Sequence, residues 1–187
     1  MKTLNATLIL VLGMPATGKT YLSKKIASKL ALPVISKDDI KDIIFDGLGS
    51  SDREYSKKVG RTSFTILDYF LKSQLAVGNS LIFESPLSPE YENEKFRKWQ
   101  QKYNFKVVQI LCWAEGETLI GRFIERSHSG TRHLGHADVV SLEEFRADLL
   151  KGKAKPLDLD SKIIEVDTTD FNLVDYSSVC DQVRQIT

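Results

Sequence analysis

Short apolar runs alternate along the chain with longer segments in which apolar residues recur every three or four positions. Between the first two runs, Leu22, Ile26 and Leu30 mark one face of a helix. This alternation is typical of the α/β class, in which helices cover a parallel sheet. The runs predict five strands, at residues 7–12, 33–36, 80–84, 106–112 and 162–167.

Three further segments show helical spacing. The longest, residues 53–77, carries Leu67 and Leu71 and is stopped by Gly78 and Asn79. Ser88 and Pro89 predict the cap and first position of another helix. The last helix is predicted to run from about residue 172 to the C-terminus.

The composition indicates one globular domain over residues 1–187. The chain has 42% hydrophobic residues and a formal net charge of +1, which excludes an intrinsically disordered chain. So small a net charge provides no global field for attracting nucleic acid or an anionic membrane. The distant Cys112 and Cys180 favour a reducing, cytoplasmic location, and we predict no association with membranes.

The chemistry begins with a glycine-containing loop between the first strand and the first helix. Its sequence, Gly13-Met14-Pro15-Ala16-Thr17-Gly18-Lys19-Thr20, matches G-x4-G-K-[ST] in full. Such a loop curls so that its backbone N–H groups and the helix N-terminus face phosphate oxygens. We therefore expect all eight residues to bind a nucleoside triphosphate, with Lys19 on the β- and γ-phosphates and the Thr20 hydroxyl on Mg²⁺.

Other nucleotide-binding classes fit less well. A GTPase reads guanine with N-K-x-D, but no Asn in this chain is followed by Lys. A dinucleotide fold requires the spacing G-x-G-x-x-G, which the loop lacks. The remaining signals favour transfer of a phosphoryl group to an acceptor substrate.

Acidic residues follow two of the predicted strands. Asp38 and Asp39 come just after the second strand, at the sheet edge where ligands bind in doubly wound folds. We predict Asp38 as the general base that orients an acceptor hydroxyl, while Asp39 either contacts the substrate or caps the next helix. Both acids could instead serve only as caps. Glu84 ends the third strand and is predicted to hold Mg²⁺ through water or to contact the substrate.

A set of cationic residues lies in the second half of the chain. Arg122 and Arg126 are four residues apart and would share one face of a helix. Arg132 follows in a polar, Gly-punctuated stretch, and we predict that residues 115–137 form a mobile lid over the triphosphate. The alternative is a solvated helix face whose arginines pair with nearby glutamates.

These blocks, in this order, resemble those of a P-loop phosphotransferase family. It includes predicted AAA-type kinases and is grouped with the kinase domain of bacteriophage polynucleotide kinase, chloramphenicol phosphotransferase and zeta toxin. The similarity extends over about residues 8–145. It implies a P-loop nucleoside triphosphate hydrolase fold with strand order 2-3-1-4-5.

The resemblance also implies roles for single residues. Asp38 would be the general base, Lys41 would help to hold the acceptor, and the arginines would cover ATP. The stretch from Arg132 to His136 resembles an Arg-His-Pro-Gly-His block of the predicted kinases, with Leu134 in place of the proline. Glu84 stands where many members carry Asp, and Lys41 stands where polynucleotide kinases carry an Arg with a bidentate fork.

The sequence therefore predicts an ATP-dependent kinase that phosphorylates a hydroxyl of a small molecule. The alternatives are a polynucleotide 5′-hydroxyl kinase and an ATP-sensing module without transfer. The expected catalytic residues are Lys19, Asp38, Arg122 and Arg126. Arg132 is expected to join the loop in binding ATP, Thr20 and Glu84 to hold Mg²⁺, and Asp39, Lys41 and Glu84 to contact the substrate.

Overall fold

The computed structural model describes residues 6–130, 132–136 and 138–186, apart from the side chains of residues 138–141. Two positions of the predicted lid, Thr131 and Ala137, therefore lie outside the described residues. The strands are β1 (Thr7–Gly13), β2 (Val34–Ser36), β3 (Leu81–Glu84), β4 (Lys106–Trp113) and β5 (Lys162–Asp167). The helices are α1 (Lys19–Leu30), α2 (Lys37–Leu48), α3 (Arg53–Ala76), α4 (Pro89–Tyr103), α5 (Gly116–His128), α6 (Asp138–Leu149) and α7 (Tyr176–Arg184).

The five strands form one parallel sheet in the order β2-β3-β1-β4-β5. The predicted fold class and strand order are thus confirmed. All seven residues of the central strand β1 are buried, because helices cover both faces of a parallel sheet. The C-terminal ends of β1, β2 and β3 lie side by side, as the pairing of Val11 with Glu84 and of Ser36 with Glu84 shows.

Alternate residues of β1 enter two hydrophobic cores. Leu8, Leu10 and Leu12 pack with residues of α3 and α4 on one face of the sheet. On the other face, Ile9 and Val11 pack with residues of α1 and α7. A third cluster joins α5 to the end of α6 through buried Phe123 and Leu149 and similar residues. Packing on both faces of the sheet therefore holds in place the strand that precedes the loop.

The ends of the helices follow from their capping residues. The Ser36 hydroxyl accepts hydrogen bonds from the amides of Asp38 and Asp39 and so begins α2. The predicted start of the last helix at residue 172 is wrong, because the carboxylate of Asp175 accepts from the amides of Ser177 and Ser178 and begins α7 at Tyr176. A one-turn 3-10 helix, Phe171–Leu173, precedes it.

Two further findings concern the chain as a whole. Cys112 and Cys180 are both free and buried. Across residues 6–130, 132–136 and 138–186, none of the helices combines the length and the hydrophobicity that crossing a bilayer requires.

Candidate active site

The glycine-containing loop follows β1 and adopts backbone conformations that suit its sequence. Gly13, Ala16 and Gly18 all have positive φ values, of 148°, 67° and 76°. A Cβ atom on Gly13 would overlap the carbonyl oxygen of Cys112, so only glycine fits at this position. The loop thus curls around a space that leads to the N-terminus of α1, as phosphate binding requires.

Lys19 begins α1 and extends its side chain back across the loop. Its Nζ donates to the carbonyl oxygen of Met14 over 2.7 Å, and the side chain is buried. Burial lowers the pKa of Lys19, while Glu84 and Asp38 act in the opposite direction. The Thr17 hydroxyl also donates to the Met14 carbonyl oxygen, over 2.9 Å. The Lys19 amine therefore lies inside the loop, where phosphates would replace a neutral carbonyl as its partner.

Glu84 joins the ends of three elements. Its Oε2 accepts hydrogen bonds from the Thr20 hydroxyl over 3.0 Å and from the Ser36 hydroxyl over 2.9 Å. The Glu84 side chain is buried at the end of β3. A carboxylate and two hydroxyl groups are the hard oxygen ligands that Mg²⁺ prefers, directly or through water. The residues present at this point therefore fit a magnesium ion.

Asp38 and Asp39 lie in the first turn of α2 but face different surroundings. Asp38 lines a cavity of about 470 Å³ together with Lys19, Thr20 and Glu84. Asp39 is exposed and is not among the residues that line this cavity. Consecutive helical residues point about 100° apart, and here this turns the Asp39 side chain away from the cavity that Asp38 lines. The structure thus brings only Asp38 to the loop.

The carboxylate of Asp38 lies between two cations. Oδ1 is 3.3 Å from Lys37 Nζ, and Oδ2 accepts from Arg132 Nη2 over 2.9 Å. Burial alone would raise the pKa of Asp38, but the positive charges of Lys37 and Arg132 outweigh it and hold the pKa well below its usual value. Asp38 is therefore ionised at neutral pH and can accept a hydrogen bond from a hydroxyl group.

Lys41 lies one turn further along α2 and lines the same cavity. Its ammonium is buried and donates to the neutral Ser56 hydroxyl over 2.8 Å. Burial, together with the positive charge of Lys37, lowers the pKa of Lys41 to about 8. A buried ammonium with a neutral partner is a poorly compensated charge.

Arg122 is held by the loop that follows β5. Its guanidinium donates to the carbonyl oxygens of Thr168 and Thr169 over 2.8 and 2.9 Å. It also stacks on Phe171, with 3.9 Å between the guanidinium carbon and the ring centroid. Both side chains line the cavity beside Gly18. These contacts hold the Arg122 guanidinium in one position, where it presents a planar surface beside the loop.

The other two arginines lie deeper in the cavity. Arg126 is one turn after Arg122 on α5, lies over the Phe123 ring at 5.0 Å, and is close enough to lower the pKa of Lys19. Arg132 contacts Asp38, as described above, so its charge lies toward the acid on α2. The three arginines therefore do not act at one point: Arg126 lies toward Lys19, and Arg132 lies toward Asp38.

The chain is similar to known proteins in both sequence and fold. A family model described as an AAA domain matches residues 8–151. A crystal structure from Chloroflexus aurantiacus, of a protein named a "putative kinase", is 37% identical, with a TM-score of 0.88 over 98% of this chain and 99% of that one. The chain belongs to this P-loop kinase-like family. The resemblance drawn from the sequence motifs is confirmed, and the family implies that the protein uses a nucleotide.

More distant structures share the fold alone. A sugar kinase from Janibacter sp. HTCC2649 is 14% identical and covers 96% of this chain and 92% of its own, with a TM-score of 0.53. A gluconokinase from Sinorhizobium meliloti 1021 is 11% identical, covers 98% of both chains and has the same TM-score. The sequence of this chain matches no curated protein.

Ser36, Phe171 and His136 are among the site residues to which the sequence assigned no role. Ser36 was treated as part of a strand, although a Ser before two acids is a helix-cap signal. Phe171 gave no signal, because it reaches the cavity from a loop at the far end of the chain. His136 belongs to the segment Arg132–His136 that resembles the family block, but the sequence does not show that its ring contacts Asp42.

Proposed function

We propose that the protein is an ATP-dependent kinase that phosphorylates a hydroxyl group of a small acceptor molecule. The observation that carries the proposal is that Lys19 and Asp38 line one cavity. Phosphoryl transfer requires a cationic donor site and a carboxylate for the acceptor hydroxyl, within reach of each other. A nucleotide sensor has no need of the carboxylate.

The donor end of the cavity is proposed to bind ATP through the loop residues Gly13 to Thr20. Thr20 and Glu84 would hold Mg²⁺, which neutralises negative charge on the phosphates when bound. Arg122 and Phe171 supply planar surfaces on which a nucleobase can stack. Arg126 lies beside Lys19 and would add positive charge at the transferred group.

The acceptor end is proposed to be formed by Asp38, Lys41 and Arg132. The acceptor oxygen attacks the γ-phosphorus, the bond from that phosphorus to the β–γ bridging oxygen breaks, and ADP leaves with the bridging oxygen. The hydroxyl proton passes to the Asp38 carboxylate. Because the pKa of Asp38 is so low, its main contribution is to orient the hydroxyl, and it accepts the proton late in the transfer.

The charge of the cavity bears on the acceptor. Six basic residues line it in addition to Lys19, namely Lys37, Lys41, Arg53, Arg122, Arg126 and Arg132, against the acids Asp38, Glu84 and Glu125. Arg53 is paired with Glu144 over 2.7 Å, whereas the buried Lys41 donates to a neutral hydroxyl. We infer that the acceptor carries an anionic group, such as a carboxylate or phosphate, that Lys41 binds.

Residues 115–137 are proposed to cover the cavity and exclude water. The described part of this segment supplies Arg122, Arg126, Ser129 and Arg132 to the cavity wall. Exclusion of water matters because water competes with the acceptor hydroxyl for the γ-phosphate. The mobility of this lid stays a prediction.

The function is tested with the purified chain, MgATP and a panel of acidic and neutral hydroxyl compounds, oligonucleotides included, by measuring ADP release. The proposal expects ADP to accumulate when an acidic small molecule is added. Lys19→Ala should abolish both nucleotide binding and transfer, while Asp38→Ala should lower transfer by about 10²-fold or more and leave ATP binding intact.

Two results would count against the proposal. Normal turnover by Asp38→Ala would remove the carboxylate from the mechanism. Selective phosphorylation of oligonucleotides, with binding that weakens steeply as salt rises, would favour the polynucleotide kinase instead.

A further inference from the structure

Four side chains form a continuous line from the middle of α2 to the carboxylate at its start. Arg132 Nη2 lies 2.9 Å from Asp38 Oδ2 and 2.8 Å from His136 Nδ1. The other ring nitrogen of His136, Nε2, lies 2.5 Å from Asp42 Oδ1. The order of contacts is therefore Asp42, His136, Arg132 and Asp38.

The chemistry of these groups fixes the protonation of the ring. Arginine has only hydrogen-bond donors, so His136 Nδ1 must be the acceptor of that contact. The proton of the neutral ring then lies on Nε2, where the carboxylate of Asp42 accepts it. A second proton on Nδ1 would remove the acceptor and place a positive charge against Arg132.

Packing holds the ring in this place. The His136 side chain is 3% exposed, and the ring meets the edge of Phe45 with 5.8 Å between centroids. A Cβ on the preceding Gly135 would lie 2.6 Å from the Phe45 ring, so the backbone lies directly against that ring. The Ser56 hydroxyl donates to the His136 carbonyl oxygen over 3.5 Å. The segment is thus attached to both α2 and α3.

The electrostatic surroundings favour the neutral ring. Burial lowers the pKa of His136 below its usual 6.5, and Arg132 adds to this, while Asp42 and Asp38 oppose it. His136 is therefore neutral at pH 7. The charged groups that act on the ring are Asp38 and Asp42 on α2 and Arg132 on its own segment. Lys41 on α2 and Arg53 on α3 line the same cavity, and His133 stacks on the Phe45 ring that His136 also contacts.

We propose that His136 and Asp42 are positioning residues for the transfer reaction. The neutral His136 ring, oriented by Asp42, holds Arg132 against Asp38 and thereby fixes the carboxylate that orients the acceptor hydroxyl. This inference rests on the proposed kinase function. Neither residue contacts the transferred group, and loss of the Nδ1 acceptor lowers turnover without weakening the binding of ATP.

Two substitutions of the same residue separate this role from a structural one. His136→Asn keeps an oxygen near the position of Nδ1 and removes the titration. His136→Gln extends its amide toward the position of Nε2, so it can reach Asp42 but not replace Nδ1. Asp42→Ala, at a half-exposed helix position, removes the group that orients the ring. His128→Gln, on an exposed histidine bonded to the Ile124 carbonyl oxygen, is the matched control.

The ligands are MgATP and the acidic acceptor that supports ADP release in the panel described above. Binding is measured by calorimetry, turnover by ADP release, folding by thermal melting, and ring protonation by ¹⁵N spectra of the histidines from pH 8.5 to 4.5. We expect the spectra to show the Nε2–H form of His136, titrating below 6.5. His136→Gln should lower turnover by about 10²-fold, and Asp42→Ala should lower it by a smaller factor because packing still holds the ring; dissociation constants for MgATP should stay within about two-fold of the wild type in both variants. His136→Asn should retain most turnover and lose the decline in activity that the wild type shows as the pH falls below 6.5.

The outcomes distinguish this inference from the kinase proposal. A wild-type chain that binds no MgATP, or that releases no ADP with any acceptor, would overturn the proposed function, and the positioning role with it. If the wild type binds and turns over MgATP, equal turnover in His136→Gln, Asp42→Ala and the His128→Gln control overturns the positioning role alone. If the ¹⁵N spectra show the proton of the His136 ring on Nδ1 at pH 7.5, the positioning role alone is likewise overturned. If His136→Gln does not melt cooperatively, the positioning role is judged from the turnover of Asp42→Ala and His136→Asn.

Discussion

The hydroxyl of Thr20 donates to Oε2 of Glu84 over 3.0 Å, although the two residues are 64 positions apart in the chain. The contact joins the first residue after the loop lysine to the end of β3. Ser36 donates to the same oxygen from the end of β2. Parallel strands place these oxygens at one edge of the sheet, where the loop would present the phosphates of a nucleotide.

The first prediction concerns magnesium at this point. Glu84→Gln keeps the shape and hydrogen-bonding capacity of the side chain but removes its charge, so the Mg²⁺ concentration for half-maximal turnover should rise about ten- to a hundred-fold. The measurement is ADP release as MgCl₂ is varied at fixed ATP. Glu165→Gln, on the exposed side of β5, should leave the Mg²⁺ dependence unchanged. An unaltered midpoint in Glu84→Gln would remove Glu84 from the metal site.

The second prediction concerns the nucleobase. Because the Phe171 ring and the Arg122 guanidinium stack at 3.9 Å, Phe171→Ala should weaken ATP binding by about ten-fold, from the loss of about 1–2 kcal/mol of stacking. Inorganic tripolyphosphate has no base, so its binding should not change. Calorimetry with both ligands makes the comparison, and Leu173→Ala, at an exposed position of the same turn, is the control. An equal loss of affinity for ATP and for tripolyphosphate would contradict the role of Phe171 in stacking the nucleobase.

The third prediction concerns the pH dependence of acceptor binding. The pKa of Lys41 is lowered to about 8, so its ammonium is protonated below that pH and neutral above it. The value of kcat/KM for an anionic acceptor should therefore fall as the pH rises through about 8. Lys41→Gln should raise KM for the acceptor and flatten this alkaline limb. Lys57→Gln, at an exposed position of α3, should keep it, and an alkaline limb that persists in Lys41→Gln would exclude Lys41 as its origin.

The fourth prediction concerns stability. Gly13→Ala places a Cβ against the Cys112 carbonyl at a φ of 148°, which L-residues rarely adopt. The free energy of unfolding should fall by about 2–4 kcal/mol, from backbone strain and overpacking together. Gly47→Ala lies in α2 with no atom within 4 Å of the new Cβ, so it should stabilise the protein by up to about 1 kcal/mol. Chemical denaturation of both variants provides the test.

The strands and the loop were predictable because their signals are local. A strand such as β1, buried on both faces, has to be continuously apolar, and Leu8 to Leu12 show this directly. The loop needs its glycines and Lys19 at fixed spacing, which any chain with this site must carry in consecutive positions. The start of the last helix was not predictable in the same way, because the capping group was one of several polar residues near position 172.

The sequence by itself therefore determined the α/β class, the phosphate-binding loop and the acid at position 38, since each depends on neighbours along the chain. Only the tertiary structure decided which side chains meet. It separated Asp38 from the adjacent Asp39, stacked Arg122 on Phe171, and connected Asp42 to Asp38 through His136 and Arg132. The long-range contacts among these join residues 49 to 94 positions apart, and the packing of α2, α5 and the loop after β5 sets them.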